Sequence, residues 1–182
     1  VDYERLRYVT RVAAHMSDNV IDTYEYPVQE VSDMAVANRR IGLGIMGFAD
    51  MLYQINVRYD SEEGYAMAEK VRGTIQEEAH KVSRELAETR GVFPNWNKST
   101  YAETGIRMRN TMLTTVAPTG SISMFLDTSS GVEPNFALSY TKQDKDGMKY
   151  YYTNKYFETA LKDRGLYSKE LMDKIIAEGS LK

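Results

Sequence analysis

Apolar residues step through much of this chain in threes and fours, and the places where that rhythm stops mark its elements. From Asp2 to about Tyr24, Leu6, Val9, Ala13, Met16 and Val20 recur at three- and four-residue intervals, the spacing that gathers side chains on one helical face. The pattern predicts a long amphipathic helix with that stripe toward a core, closed before Pro27. A second, short helix is predicted from Val31 to Asn38. Asp60 and Ser61 precede Glu62 and Glu63, an arrangement that suits a helix start because carboxylates there face the positive end of the dipole. Met67, Val71, Ile75, Ala79, Val82 and Leu86 then keep the helical step until Gly91 supplies a stop.

Beyond Gly91 the rhythm changes. Residues 91–105, GVFPNWNKSTYAETG, are turn-rich and read as a surface loop anchored by Phe93 and Trp96. TMLTTVAP, 111–118, is rich in β-branched residues and predicts a buried strand ending at Pro118. FALSYTKQ and MKYYYTN predict two strands around a turn at Asp146-Gly147. Two short helices are expected at 155–164 and 168–178, divided by Gly165. No internal repeat or low-complexity segment interrupts the chain.

At 182 residues the chain has the size of one domain with a core of its own. Its 23 basic residues are scattered among 26 acidic ones, for a net charge of -3, which argues against nucleic acid as a direct partner. No apolar run approaches the roughly 20 residues needed to cross a bilayer, and no basic-then-apolar leader opens the sequence. The expectation is a soluble, cytoplasmic protein without a membrane partner. The absence of cysteine removes disulfides, thiolate nucleophiles and thiolate metal sites. The two histidines, His15 and His80, lie in separate helical segments and are expected to face solvent or the core edge rather than bind a metal. The sequence therefore predicts no metal site. It opens with Val1 inside a helical pattern, with neither methionine nor cap residue ahead, and reads as a piece of something longer.

Two stretches invite a chemical reading. RRIGLGIMGFADMLYQ, 39–54, sets Gly42, Gly44 and Gly47 in the G-x-G-x-x-G spacing of dinucleotide-binding turns. That motif needs a hydrophobic strand feeding the first glycine, so that amides and helix dipole meet the pyrophosphate. Here the preceding MAVANRR is polar, and the helix that follows, Phe48 to about Ile55, is short. Asp60 nevertheless falls near the offset of the ribose-binding acid. The other reading is a short buried strand whose small residues admit a close neighbour.

VAPTGSISMFLDTSSGVEPNF, 116–136, concentrates hydroxyls and free amides where a strand gives way to a helical turn. Thr119, Gly120, Ser121 and Ser123 at a helix start can hold an anion, or Thr119 or Ser121 can simply cap the first turn. Glu133, between Gly131 and Pro134, sits on constrained backbone and can orient a ligand, or be an ordinary exposed acid.

A resemblance bears on both stretches. NRRIGLGIMGFADML, YDSEEG, GVFPNW, RNTMLTTVAPTGSISMFLDTSSGVEPNFALSY and YFETALKDRGLYSKELMDKI follow one another as in the catalytic subunit of ribonucleotide reductases, and most resemble the adenosylcobalamin-dependent class II enzymes. The likeness covers nearly the whole chain. It implies an α/β, helix-rich fold: part of a ten-stranded α/β barrel, with residues 1–182 as a single piece of the catalytic domain. It implies that Thr119, Gly120, Ser121, Ile122 and Ser123 contact the phosphates of a nucleotide substrate, Ile122 through its amide alone. Pro118, Glu133 and Pro134 would line the same cavity, and the glycines would serve packing rather than a dinucleotide.

In that family a cysteine thiyl radical abstracts the 3'-hydrogen of the ribose, and two further cysteines supply electrons to replace the 2'-hydroxyl. With no cysteine, this chain is expected to carry no catalytic residue and to be inactive alone. The finger loop is expected upstream of Val1, and the last strands beyond Lys182. The implied partners are a ribonucleoside di- or triphosphate and the remainder of the subunit. Adenosylcobalamin is implied for the whole enzyme, with no tight binding by this piece. Faces meant for missing strands should make the piece self-associate. The alternatives are a class I large subunit, which receives its radical from a metal-bearing partner, and, in another class altogether, a nicotinamide-dinucleotide domain through Gly42, Gly44 and Gly47.

Overall fold

The computed structural model describes residues 1–143 and 146–179. Among them the helices are α1 (Tyr3–Thr23), α2 (Gln29–Asn38), α3 (Phe48–Gln54), α4 (Glu62–Arg90), α5 (Thr100–Thr104), α6 (Gly120–Phe125), α7 (Lys155–Asp163) and α8 (Lys169–Glu178). A 3-10 turn spans Trp96–Lys98, and the strands are β1 (Ser139–Gln143) and β2 (Lys149–Thr153). The chain is helix-rich with one small sheet among the described residues. Its contacts divide it into two compact units, Val1–Ile45 with Tyr65–Ala117, and Met46–Gly64 with Pro118–Lys182.

In the first unit the stripe of α4 is buried as its spacing requires: Val71, Ile75, Ala79, Val82 and Leu86 all lie in the interior. Ala79, Val82 and Leu86 cluster with Ala14, Ile21, Ile41, Phe93, Met108 and Leu113. Phe93 anchors the loop after α4 as predicted. Trp96 holds it too, its Nε1 donating to the Ile106 carbonyl at 2.8 Å, while the loop itself contains the two short helical turns that its polar composition concealed.

Helix α1 turns a different face inward from the one its apolar spacing selects. Thr10, Ala14, Asp18 and Ile21 are buried, whereas Val9, Met16 and Val20 are at least half exposed. The helix is thus rotated by one residue, about 100° at 3.6 residues per turn. The reason is electrostatic. Asp18, fully buried, accepts from Arg39 Nε at 2.9 Å and Asn110 Nδ2 at 2.9 Å, with Arg90 and Arg109 at 3.4 Å. Arg39 is itself 2% exposed and also pairs with Asp22 at 2.6 Å. A carboxylate so surrounded is stable inside only because every lone pair has a donor, and Asp18 can reach those donors only in this rotation.

The predicted strand at 111–118 is not a strand. Leu43 and Thr114 form a single parallel bridge, with Leu43 N–H on the Leu113 carbonyl and Thr115 N–H on the Leu43 carbonyl. Thr115 and Val116 are exposed, so β-branched composition here has no neighbouring ladder to join.

In the second unit the predicted hairpin forms, antiparallel, with Ser139 opposite Thr153 and Tyr140 opposite Tyr152. The two tyrosine rings stack at 5.4 Å. Gly147 takes the left-handed conformation expected of the turn, while residues 144 and 145 of that turn lie outside the described residues. Asn154 caps α7 and Ser168 caps α8 through their side chains, and Leu161, Met172 and Ile175 pack between these helices with Phe157 and Leu171.

Candidate functional site

The candidate site is built on α6, in the second unit. Its first residue follows Thr119, whose backbone is left-handed at φ 52, a conformation costly for a β-branched side chain. The hydroxyl of Thr119 compensates by accepting the Gly131 amide hydrogen at 2.7 Å. Thr119 therefore does not cap α6; its oxygen is engaged by the second loop, and no side chain caps the helix. Among the described residues the amides of Gly120, Ser121 and Ile122 have no hydrogen-bond acceptor. The Ser123 amide closes the turn on the Thr119 carbonyl at 2.9 Å.

The five predicted phosphate-loop residues thus divide. Gly120, Ser121 and Ile122 are exposed with free amides. Ser123 is buried, its hydroxyl donating to the Gly120 carbonyl at 3.2 Å and paired with Ser130 Oγ at 3.0 Å. Thr119 holds Gly131. These two cross-links join the TGSIS and SSGVEP segments, which the sequence keeps about ten residues apart. Pro118, Glu133 and Pro134 are exposed. Two cavities of this unit, of about 390 and 100 Å3, have other walls: Tyr53, Tyr59 and Phe157 in the larger, Asp50, Asn135 and Asn154 in the smaller. Residues 118–136 contain no lysine or arginine, so an anion at this turn would meet amides and helix dipole rather than a side-chain cation.

At the other end of α6, Asp127 is also left-handed, at φ 48. Lys155 fastens it, Nζ donating to the Asp127 carbonyl at 2.7 Å and to its carboxylate at 2.9 Å. That hydrogen bond raises the Lys155 pKa above the ordinary lysine range.

Sequence reasoning missed Asp50, in α3. This carboxylate is buried and accepts four hydrogen bonds, from the Ser129 amide (2.8 Å), Thr128 Oγ1 (3.3 Å), Asn135 Nδ2 (3.1 Å) and Asn154 Nδ2 (2.7 Å). A lone acid inside the apolar run GFADML was the available signal, since an unpaired acid there must find donors.

The fingerprint glycines are explained by close approaches. A Cβ on Gly42 or Gly44 would lie 3.1 Å from the Thr115 side chain or carbonyl respectively. Gly47 is left-handed at φ 81, and a Cβ on it would come within 2.5 Å of Thr128 Oγ1. Backbone and packing together demand glycine at 47, while at 42 and 44 its small size lets Thr115 approach closely. Arg39, which closes α2 in the left-handed conformation, stands where a dinucleotide fold needs the end of a strand. His15 is exposed against Arg90 at 3.0 Å, and His80 pairs with Gln76 at 2.7 Å.

The family model described as ribonucleotide reductase, barrel domain, matches residues 1–107 and 102–182. The chain belongs to this family. It is 42% identical over 181 residues to the vitamin B12-dependent ribonucleoside-diphosphate reductase of Thermoplasma acidophilum, and 42% identical over 182 residues to the enzyme of that name in Mycobacterium tuberculosis. The alignments cover 100% of this chain but 24% and 26% of those proteins, so the chain spans about a quarter of their length. The ribonucleoside-diphosphate reductase subunit alpha of Chlamydia pneumoniae is 28% identical over 219 residues, 21% of its length. Among solved structures, the Actinobacillus ureae class Id ribonucleotide reductase alpha subunit superposes with a TM-score of 0.77 at 28% identity, covering 100% of this chain and 32% of that one.

Proposed function

We propose that this chain is a stretch of the catalytic subunit of an adenosylcobalamin-dependent ribonucleotide reductase, and that its turn at 119–123 receives the phosphates of a ribonucleoside diphosphate. The observation that carries the phosphate role is the group of three unpartnered amides at Gly120, Ser121 and Ile122, on a turn cross-linked to the SSGVEP loop. Thr119 and Ser123 then act as braces, and Pro118, Glu133 and Pro134 form the neighbouring wall. The names of the more similar relatives favour cobalamin over a separate radical-generating subunit, 42% identity against 28%, and favour a diphosphate over a triphosphate.

Residues 1–182 are read as one piece of the barrel domain, with the extended segments about Leu43 and Thr114 contributing to a ten-stranded α/β barrel. Radical chemistry in this family passes through thiols, and this chain has none. Its residues do not supply what the cobalamin radical acts on, so no catalytic step is assigned to them. The cysteine-bearing finger loop and the remaining strands belong to other parts of a larger cytoplasmic subunit. The exposed Val9, Met16 and Val20 of α1 support contact with those parts, or self-association when they are missing.

The test is turnover by the intact subunit, with and without adenosylcobalamin, in the parent protein and a Ser121→Pro variant. Proline in the first helical turn removes one free amide without breaking a helix bond. The expected result is cobalamin-dependent reduction and a KM for the ribonucleoside diphosphate raised about tenfold, the effect of one hydrogen bond to a charged group. An unchanged KM would remove the phosphate role. Cobalamin-independent turnover would return the class I reading.

A further inference from the structure

Asp50 has no counter-ion among its hydrogen-bond partners. Its Oδ2 accepts from the Ser129 amide and the Thr128 hydroxyl, and its Oδ1 from the side-chain amides of Asn135 and Asn154. All four donors are neutral, and three belong to the loop 128–135. The connection to α3 is reciprocal: the Asp50 amide donates to Ser129 Oγ at 3.3 Å, and the Gly47 amide to the Ser129 carbonyl at 2.8 Å. Ser129 is therefore held through its amide, carbonyl and hydroxyl. Its neighbour Ser130 meets Ser123 of α6, and Gly131 donates to Thr119. One buried carboxylate thus connects, through three consecutive residues, to both cross-links of the α6 turn. Burying a charge is costly, and a neutral donor set of this size is what makes it tolerable.

We infer that Asp50 is a positioning residue, holding loop 128–131 so that Gly131 and Ser130 keep Thr119 in its left-handed conformation and the amides of Gly120, Ser121 and Ile122 directed outward. The significance for substrate rests on the phosphate role proposed above; the mechanical relay does not. Thr119 is β-branched, and without the Gly131 amide on its hydroxyl it relaxes toward ordinary backbone angles. The relay also explains why a single acid interrupts the apolar run of α3: Phe48, Ala49 and Leu52 are buried around it, and an uncharged polar residue would offer fewer acceptors to four donors.

The experiment uses the intact catalytic subunit carrying this chain, with Asp50→Asn, Thr119→Val and the double variant. Hydrogen exchange without nucleotide reads the relay. Asp50→Asn should speed exchange of the hydrogen-bonded amides of Ser123, Ser129 and Gly131 by about tenfold, the effect of losing a hydrogen bond to a charged group, and leave α8 unchanged. Kinetics reads the consequence. KM for the ribonucleoside diphosphate should rise about tenfold in each single variant, with kcat within about threefold, and the double variant should be no worse than the more severe single one. Unchanged exchange at Ser123 and Gly131 in Asp50→Asn overturns the inference, as does a double variant in which the KM effects multiply. Faster exchange with unchanged KM retains the relay and removes the phosphate role instead. If Asp50→Asn does not fold, Thr128→Val deletes only the longest of the four contacts and should shift exchange of the Ser123, Ser129 and Gly131 amides by about threefold; no shift there overturns the inference equally.

Discussion

Gly64 and Gly73 lie on the same helix, α4, and replacing each by alanine should move stability in opposite directions. At Gly73 a Cβ meets nothing within 4 Å, so alanine gains its intrinsic helix preference of roughly 0.5–1 kcal/mol. At Gly64 the same atom would lie 2.6 Å from the Arg58 carbonyl oxygen and 2.7 Å from that of Tyr59, well inside van der Waals contact. Both obstacles are backbone, in the turn that starts the helix. Ser61 Oγ ties that turn together, accepting the Gly64 amide at 3.1 Å and donating to the Arg58 carbonyl at 2.6 Å. Relieving the clash means moving this cap, worth about 1 kcal/mol, on top of an overpacking cost of roughly 1–3 kcal/mol. The helix preference offsets only part, leaving Gly64→Ala destabilised by about 2 kcal/mol. Urea unfolding of the chain, followed by far-ultraviolet circular dichroism at one protein concentration, reads both variants. If Gly64→Ala matches Gly73→Ala, the turn at 58–61 does not press against the helix start, and the packing argument fails.

Asp18→Ala should cost about 3–5 kcal/mol in the same assay, because it leaves the buried Arg39 guanidinium with only Asp22 as its carboxylate; a loss below about 1 kcal/mol would contradict a buried ionic centre. Acid should weaken the protein in two steps. Burial, with Arg84 nearby, lowers the His80 pKa, so the unfolded chain takes up that proton first, and the stability His80 contributes is complete above about pH 6.5 and lost as pH falls below it. His80→Gln should flatten stability between about pH 5 and 7, and a slope that persists would refute the assignment. The second step comes below about pH 4. The hydrogen bond from Arg39 holds the Asp22 carboxyl low, and for Glu78 the bonds from Arg11 and Lys81 outweigh the upward push of burial. Each therefore contributes above its unfolded pKa and loses that contribution on protonation.

The helices were legible wherever periodicity and punctuation agreed. Helix α4 has a five-residue buried stripe, Ser61 before it and Gly91 after it, and the hairpin has Gly147. Composition misled where partners decide the outcome. TMLTTVAP has the residues of a strand but pairs with the 38–43 segment through only a few backbone bonds and a single bridge, and the stripe of α1 ignored Asp18 because the three arginines that neutralise it and the asparagine that donates to it lie 21 to 92 positions away. At the candidate site the cluster of small and hydroxyl residues was visible as a pattern, while the division of labour within it was not. That Thr119 braces Gly131, that Ser123 turns inward, and that Asp50 anchors the loop are facts of distant pairing. The family itself was legible through the order of several motifs, although the stretch 118–136 that holds the candidate phosphate turn carries no lysine or arginine.

The ionic centre around Asp18 has a kinetic consequence. Its members come from four separated stretches of chain, so it can close only after α1, the start of the 39–45 segment, the end of α4 and the 109–110 loop have gathered. Contacts of such span form late and slow the search. A collapsed state with α1 turned by one residue would hide Val9, Met16 and Val20 more comfortably, yet would strand several guanidiniums without an anion. The cluster thereby disfavours the greasier packing, and the native orientation of the first helix is set by charge.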